Sequence, residues 1–378
     1  MSEQNASAAP LPASADNQGY IAARQPPEKV GGLLVWLRKN LFSGPINSLI
    51  SLVLLYLIVR IVTPMVQWGL IDATWVGSSR QDCTGDGACW VFVTTRLGQI
   101  IYGFYPSPER WRVDVTLAMF TVLLVWLVIP RLPYKKIAGL LTLFAFPVVA
   151  YFLLLGGSFG LPYVPTRQWG GLMLTLVIAT VGIVCSIPLG ILLALGRRSS
   201  MPFVKAVCVV FIEFWRGVPL ITVLFMASVM FPLFVPAQLE VDRLVRALIG
   251  ISFFWSAYMA EVVRSGLQAI PKGQDEAAAA LGLGYWQRTG LVVLPQALKL
   301  VISGIVSTCI SLFKDTTLVL IIGLFDLLGV IRAGLTDTAW LGYATEGYVF
   351  AAILFWAFCF SMSRYSQYLE RRLHTGHR

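Results

Sequence analysis

Charge is what this chain has least of. Asp, Glu, Lys and Arg make up 13% of its 378 residues against 57% hydrophobic, where a soluble domain carries about 25% charged. So few charges cannot cover the surface of a soluble protein, and a cytosolic or secreted globular enzyme is excluded. There are only two histidines, His374 and His377, both in a polar tail, and the cysteines are scattered. Too few nitrogens and thiolates gather anywhere to hold a metal. No Gly-x-x-x-x-Gly-Lys-Ser/Thr loop is present, so the usual cradle for ATP phosphates is missing. The N-terminal stretch lacks the basic start, apolar middle and cleavage site of a signal peptide. No short-period repeat appears, nor the two similar halves of many secondary carriers. The net charge of +10 is not gathered into a basic, aromatic-laced patch, which excludes a nucleic-acid partner.

Long apolar runs take the place of charge. A bilayer-spanning helix needs about 20 mostly apolar residues, and that template predicts an all-α, polytopic membrane protein with about eight transmembrane helices. They fall at roughly 46–68, 114–130, 137–156, 169–195, 205–234, 245–263, 298–323 and 346–366. Arg216, Gly217 and Pro219 interrupt the fifth. With the N-terminus inside, Arg38, Lys39, Lys135, Lys136, Arg197, Arg198, Lys272, Arg371 and Arg372 all fall on the cytoplasmic side. The excess of basic residues there places both termini in the cytoplasm.

Residues 1–45 read as a cytoplasmic segment. Its first 27 are too poor in large apolar side chains to fold, and "VGGLLVWLRKNLF" (30–42) suits the membrane interface. Residues 46–157 hold three spans and an external loop, 69–113. In that loop "CTGDGACW" places Cys83 six residues before Cys89. An oxidising compartment permits a disulfide between them, and two unlinked thiols are the alternative. Residues 165–370 hold the other five spans and nearly all the motifs.

The stretch 270–299 is the most polar long segment of the second half. Pro271 ends the sixth span. Asp275 is expected as the N-cap of a short helix, with Glu276 in its first turn. Gly282 is expected to stop that helix. A second short helix follows over 285–293, and Pro295 is expected to open the seventh span. The pattern is Glu276-Ala277-Ala278, three residues, Gly282, nine residues, Val292, one residue, Leu294-Pro295. It resembles the EAA loop of ABC importer permeases, with Val292 where Ile is usual. "GGLMLTL" (170–176), "IEFWRGVPL" (212–220), "AYMAEVVRSGLQAIPKGQDEAAAALG" (257–282), "LPQALK" (294–299) and "FKDTTL" (313–318) extend the resemblance to the polar amino-acid uptake group. Val218 departs from a common Thr, and Thr317 from a common Ser. The three leading spans and "GQIIYGFYPSPERWRV" (98–113) resemble the longer permeases of the general L-amino-acid and glutamate/glutamine/aspartate/asparagine systems, above all the M subunit type.

That resemblance implies a five-helix, type I (MetI-like) permease core preceded by three extra spans, in a bacterial inner membrane. It implies that Asp275, Glu276, Ala277, Ala278, Gly282, Leu294 and Pro295 engage an ATPase dimer. It also implies a second, homologous permease and a periplasmic amino-acid-binding protein. The chain itself is then non-catalytic and binds no cofactor, ATP and magnesium belonging to the ATPase.

A charge inside a span costs about 2.5–3.5 kcal/mol and has to pair or meet water. Lys314 and Asp315, followed by Thr316 and Thr317, fall within the seventh span, and Glu213 and Arg216 within the fifth. Either these residues line the path of an amino acid, or they form local ion pairs, Glu213 with Arg216 at i, i+3. Arg60, in the first span, reads as a snorkelling side chain. Two other functions share much of this composition: an ion-coupled amino-acid carrier, and a membrane sensor that only displays 270–299. The carrier does not need the loop, and the sensor has no use for the charges of "FKDTTL".

Overall fold

The computed structural model describes residues 32–129, 131–234, 236 and 241–373. The expectations for residues 1–27, His374 and His377 lie outside them. The chain divides into two compact units, up to Asp72 and from Ala73 onward.

In the first unit α1 (Leu33–Asn40) carries Arg38 and Lys39 in its last turn, where cations complement the helix dipole. α2 (Pro45–Val66) follows and runs on through a π-helical turn to Ile71. Its strongest apolar stretch contains no buried residue, so its whole circumference is available to lipid or to another chain. Arg60 is exposed with the rest.

The second unit opens with a segment that does more than connect spans. Thr74 bridges to Cys89, and α3 (Val91–Tyr102) buries Val91, Phe92, Val93 and Ile100. The expected external loop, 69–113, therefore contains a docked helix of its own. Twelve residues with Thr94, Thr95 and Arg96 among them are too short and too polar to register as a span, yet one apolar face suffices to dock a helix. The ring of Phe92 meets Trp340, Arg96 pairs with Asp337, and the Cys89 N–H donates to Glu346 at 3.1 Å.

α4 (Arg110–Val128) is next, then α5 (Lys135–Leu140) and α6 (Phe146–Leu155), joined by a π-helical turn. Arg112 is fully buried at the start of α4. It pairs with Glu109 at 2.6 Å and donates to the Pro162 carbonyl at 2.9 Å. Its charge is met by the neighbouring turn and is not free for a ligand.

The centre of the unit is α7 (Gly171–Arg197) laid along α11 (Arg243–Ala269), each 27 residues long. Lipid tails are as apolar as leucine, so packing and close approach, not removal from water, hold such a pair. The contact is built accordingly from small residues: Ala179, Ala194, Ala247, Ala257 and Ala260 are all buried. At Gly190 a Cβ would lie 2.7 Å from that of Met259, so any larger residue would push the helices apart.

The expected fifth span, 205–234, is two helices in the structure. α8 (Pro202–Gly217) ends, and the chain turns by 101° into α9 (Leu220–Phe225) and α10 (Phe231–Phe234), joined by a π-helical turn. Pro219 has no N–H to continue the helix and drives Val218 to φ −107°, ψ 134°. Among the described residues seven helices are long and apolar enough to cross a membrane, and this bent pair makes an eighth if it is one span.

Three π-helical turns, 141–145, 226–230 and 289–293, each end two residues before a proline: Pro147, Pro232 and Pro295. A proline inside a helix removes one hydrogen bond and crowds the carbonyl four residues back. The wider turn makes room, so the helix continues. At Pro232 the freed carbonyl of Ser228 accepts from Arg246 at 2.6 Å, which accounts for an arginine in that span.

After α12 (Lys272–Ala280), α13 (Tyr285–Arg288) and α14 (Leu294–Leu300) comes α15 (Ile302–Asp315), which tightens into a 3-10 helix over Thr316–Ile322. α16 (Leu327–Leu335) and α17 (Ala344–Leu373) complete the unit. Asp326 caps α16, accepting from Gly329 at 2.9 Å, and is fully buried where 325–326 runs beside Gly170 and Gly171. Burial pushes its carboxyl from 3.8 up to about 6. The folded chain therefore holds a proton that the unfolded chain releases between those values, and stability falls as pH rises from about 4 to about 6, then levels. At about 1.4 kcal/mol per pH unit the loss is on the order of 3 kcal/mol. The difference in thermal midpoint between wild type and Asp326→Asn should track that window, and a difference constant from pH 4 to 7 would contradict it.

Candidate functional site

Two groups of polar residues stand out, and α11 leads from one to the other. The first is the knob over 270–299. Ile270 is extended ahead of Pro271, and α12 begins at Lys272 with Pro271 as its N-cap. Asp275 is thus in the first turn, not at the cap. Proline has the fixed φ and no donor to waste at a helix start, so the helix begins earlier than the Asp signal implied. Gly282, at φ +79° with open space around it, ends the helix. Asp275 then reaches Arg288 across the turn at 3.4 Å, and Gln296 donates to Gln274 at 3.3 Å. Two short helices are clamped side by side.

The knob's outer surface carries large apolar side chains, one unmatched acid, and two exposed lysines, Lys272 and Lys299, that have no ion pair among the described residues. Ala278 is buried and Ala277 exposed. Leu281 is 82% exposed and Trp286 72%. Glu276 is exposed and has no hydrogen bond or ion pair among the described residues. Leu281 and Trp286 were not on the sequence-derived set. Large apolar side chains flanking a helix-stopping glycine in an otherwise polar segment were the available signal. Leu294 packs against the core cluster of α7 and α11. Pro295 does not open the next span: helical structure continues through it from Tyr285 to Leu300, the break falls at Val301, and α15 starts at Ile302. The π-helical turn before Pro295 is what lets the helix pass it.

The second group joins α7, α8 and α11 at the end of α11 nearest the knob. Arg197 donates to Glu213 at 3.0 Å and to Glu261 at 2.8 Å. Arg264 makes two bonds to Glu261, at 2.9 and 2.7 Å. Arg216 lies 3.9 Å from Glu261 and over the ring of Tyr258 at 5.7 Å. The expected local pair of Glu213 with Arg216 is therefore corrected: each is drawn to a residue of another helix, Glu213 to Arg197 of α7 and Arg216 to Glu261 of α11. Glu261, within the motif 257–282 but not singled out, is the hub.

Lys314 and Asp315 end α15. Lys314 is exposed and Asp315 half-buried, and neither side chain forms an ion pair or hydrogen bond among the described residues. As neighbours in sequence they still feel each other's charge, but no nitrogen–oxygen contact within 4 Å joins them. The Thr316 and Thr317 hydroxyls donate to the carbonyls of Phe313 and Lys314, which leaves their oxygens able to accept. Cys83 and Cys89 are joined as a disulfide with Cα atoms 5.8 Å apart. No cluster able to hold a metal occurs among the described residues.

Over residues 186–375 the chain matches the family described as binding-protein-dependent transport system inner membrane component. It is 56% identical over 343 residues to the inner membrane amino-acid ABC transporter permease protein YhdY of Escherichia coli, covering 91% of this chain and 94% of that one. It is 40% identical over 427 aligned residues to the glutamate/glutamine/aspartate/asparagine transport system permease protein BztC of Rhodobacter capsulatus, covering 95% and 98%. Among solved structures it is similar to an amino acid ABC transporter crystallised with histidines, at 27% identity and a TM-score of 0.48 over 53% of this chain and 92% of that one.

Proposed function

Since the chain belongs to the family of binding-protein-dependent inner-membrane transport components, we propose that it forms half of the pore of an ATP-driven importer of polar L-amino acids. It is a multi-pass permease subunit and not an enzyme; ATP hydrolysis belongs to a partner ATPase, and a binding protein delivers the substrate. The ion-coupled carrier and the sensor find no support in that membership.

The finer assignments follow from chemistry. An ATPase dimer, with ATP and magnesium, receives the knob through Glu276, Ala277, Leu281 and Trp286. The exposed apolar surface with its unmatched Glu276 is the observation that carries this reading, because such a surface is retained where a partner covers it. A second, homologous permease completes the pore, a periplasmic amino-acid-binding protein docks on the far side, and both termini are cytoplasmic. Lys314 and Asp315 line the path with Thr316 and Thr317. Unpaired charges of both signs inside a span fit the carboxylate and ammonium of an amino acid, and their cost is otherwise unexplained. Glu213 and Arg216 leave the path and serve the junction at Glu261.

The test is to tag the chain in its native membrane, extract it in mild detergent, identify what co-purifies, and reconstitute the assembly. An ATPase and a second permease, with uptake that requires ATP, are expected. Recovery of the chain alone, with uptake that collapses when the proton gradient is removed, would overturn the reading.

A further inference from the structure

A cavity of about 600 Å³ runs between the leading spans and the core, walled by α4, α6, α7 and α11. Its floor is Met173, Val177, Val181 and Val184 of α7, and Phe120 and Phe146 face them. From Met173 to Cys185 the groove extends along α7 for about 18 Å at ~1.5 Å per residue. That is a little over half of the roughly 30 Å hydrocarbon core, the depth of one leaflet. Toward the outside it is open, since Leu143, Tyr151 and Val245 on its lips are each more than two-fifths exposed.

Apart from the hydroxyls of Thr116 and Thr180 along its walls, its polar groups gather at one end. There the Thr166 hydroxyl donates to Asp242 at 2.5 Å, while the other Asp242 oxygen accepts from Leu244 at 2.8 Å. The Val245 N–H also donates to that oxygen, at 3.4 Å, and a carboxylate, with about four acceptor sites, has capacity beyond these three bonds. Tyr163 is exposed on the same rim, and Arg167, next to Thr166, is exposed with no ion pair or hydrogen bond among the described residues.

We propose that this groove is a phospholipid site: one acyl chain fills it, and a headgroup bearing an amine meets Asp242 while its phosphate meets Arg167. An empty apolar slot of this size would forfeit contacts along every wall. Water has too few polar partners in it to replace them. Hydrocarbon from the adjoining leaflet has direct access through the open lips. The slot is one leaflet deep with its polar end at the rim, which matches the division of a phospholipid into tail and headgroup. The lipid then mortars the leading spans to the core.

The test uses the full chain, extracted with its assembly and exchanged into lipid-free detergent, with retained phospholipid counted by native mass spectrometry. About one phosphatidylethanolamine per chain is expected in wild type, and at least a fivefold loss in Val181→Trp, which fills the slot. A photoreactive residue at position 184 guards against misfolding of that variant and should label lipid. Equal retention in wild type and Val181→Trp would overturn the proposal. So would photolabelling of residues 45–71 of this chain or of another protein, since either would make a helix the occupant.

Discussion

Glu276→Lys is expected to lower ATP-dependent amino-acid uptake at least about 30-fold while leaving the permease folded. Glu276 is exposed and bonds to nothing among the described residues, so the free chain loses little when its charge is reversed. An ATPase groove shaped to receive a carboxylate would meet an ammonium instead, and like charges brought together at an interface cost several kcal/mol. Even 2 kcal/mol, the threshold for a hot spot, is about a 30-fold change in affinity. The measurement is uptake into proteoliposomes, beside the amount of ATPase retained on the tagged chain and the thermal midpoint of the permease alone. Uptake within twofold of wild type, with the ATPase still bound, would remove the knob from the coupling interface. A fall in the midpoint as large as the fall in uptake would mean that the residue serves the fold.

Glu261→Gln should instead be a stability variant. In wild type Glu261 neutralises Arg197, Arg264 and, more distantly, Arg216, and its own side chain is 16% exposed. Removing one member of a buried ion pair costs about 3–5 kcal/mol, and the partial exposure of the arginines reduces that, since exposed pairs give only about 0–1 kcal/mol. A loss of about 2 kcal/mol is expected, read as a thermal midpoint several degrees lower. Arg216→Gln provides the internal control. Its contact is the longest, at 3.9 Å, and its side chain is 37% exposed, so it should cost at least threefold less. Equal effects from the two substitutions would dissolve the idea of a hub.

The two displaced helix ends share a cause. Single-residue signals place helix ends at Asp275 as a cap and at Pro295 as a start. Each signal is real, but a neighbour overrode it. Pro271 starts α12 three residues before Asp275. The π-helical turn 289–293 carries a helix past Pro295. Pro219, recognised only as an interruption, turns the chain by 101°. α3 is not legible in the sequence because what fixes it is a docked face, and the partners of that face, Trp340 and Asp337, lie far along the chain.

The knob was legible because its determinants are local: an Ala run, a glycine stop and an unmatched acid within one segment. The junction was not, although all of its charges were in view. At i, i+3 Glu213 and Arg216 can neutralise each other, and nothing in the order of residues says which of Arg197, Arg264 or Arg216 a glutamate will meet.

What the sequence alone determined was medium, class and family: a chain with so few charges and such long apolar runs must satisfy its backbone by helices in a bilayer, and the spaced motif from Glu276 to Pro295 carried the resemblance to ABC permeases. What only the tertiary structure decided was which charges hold helices together and which remain without an ion pair. Glu213 and Arg216 are taken up by Arg197 and Glu261, while Lys314 and Asp315 remain without ion pairs among the described residues. Apolar burial and helix signals accumulate along a segment and can be summed from composition. An ion pair depends on two side chains arriving within about 4 Å, and the packing of α8 against α7 and α11, three segments separated along the chain, sets that distance.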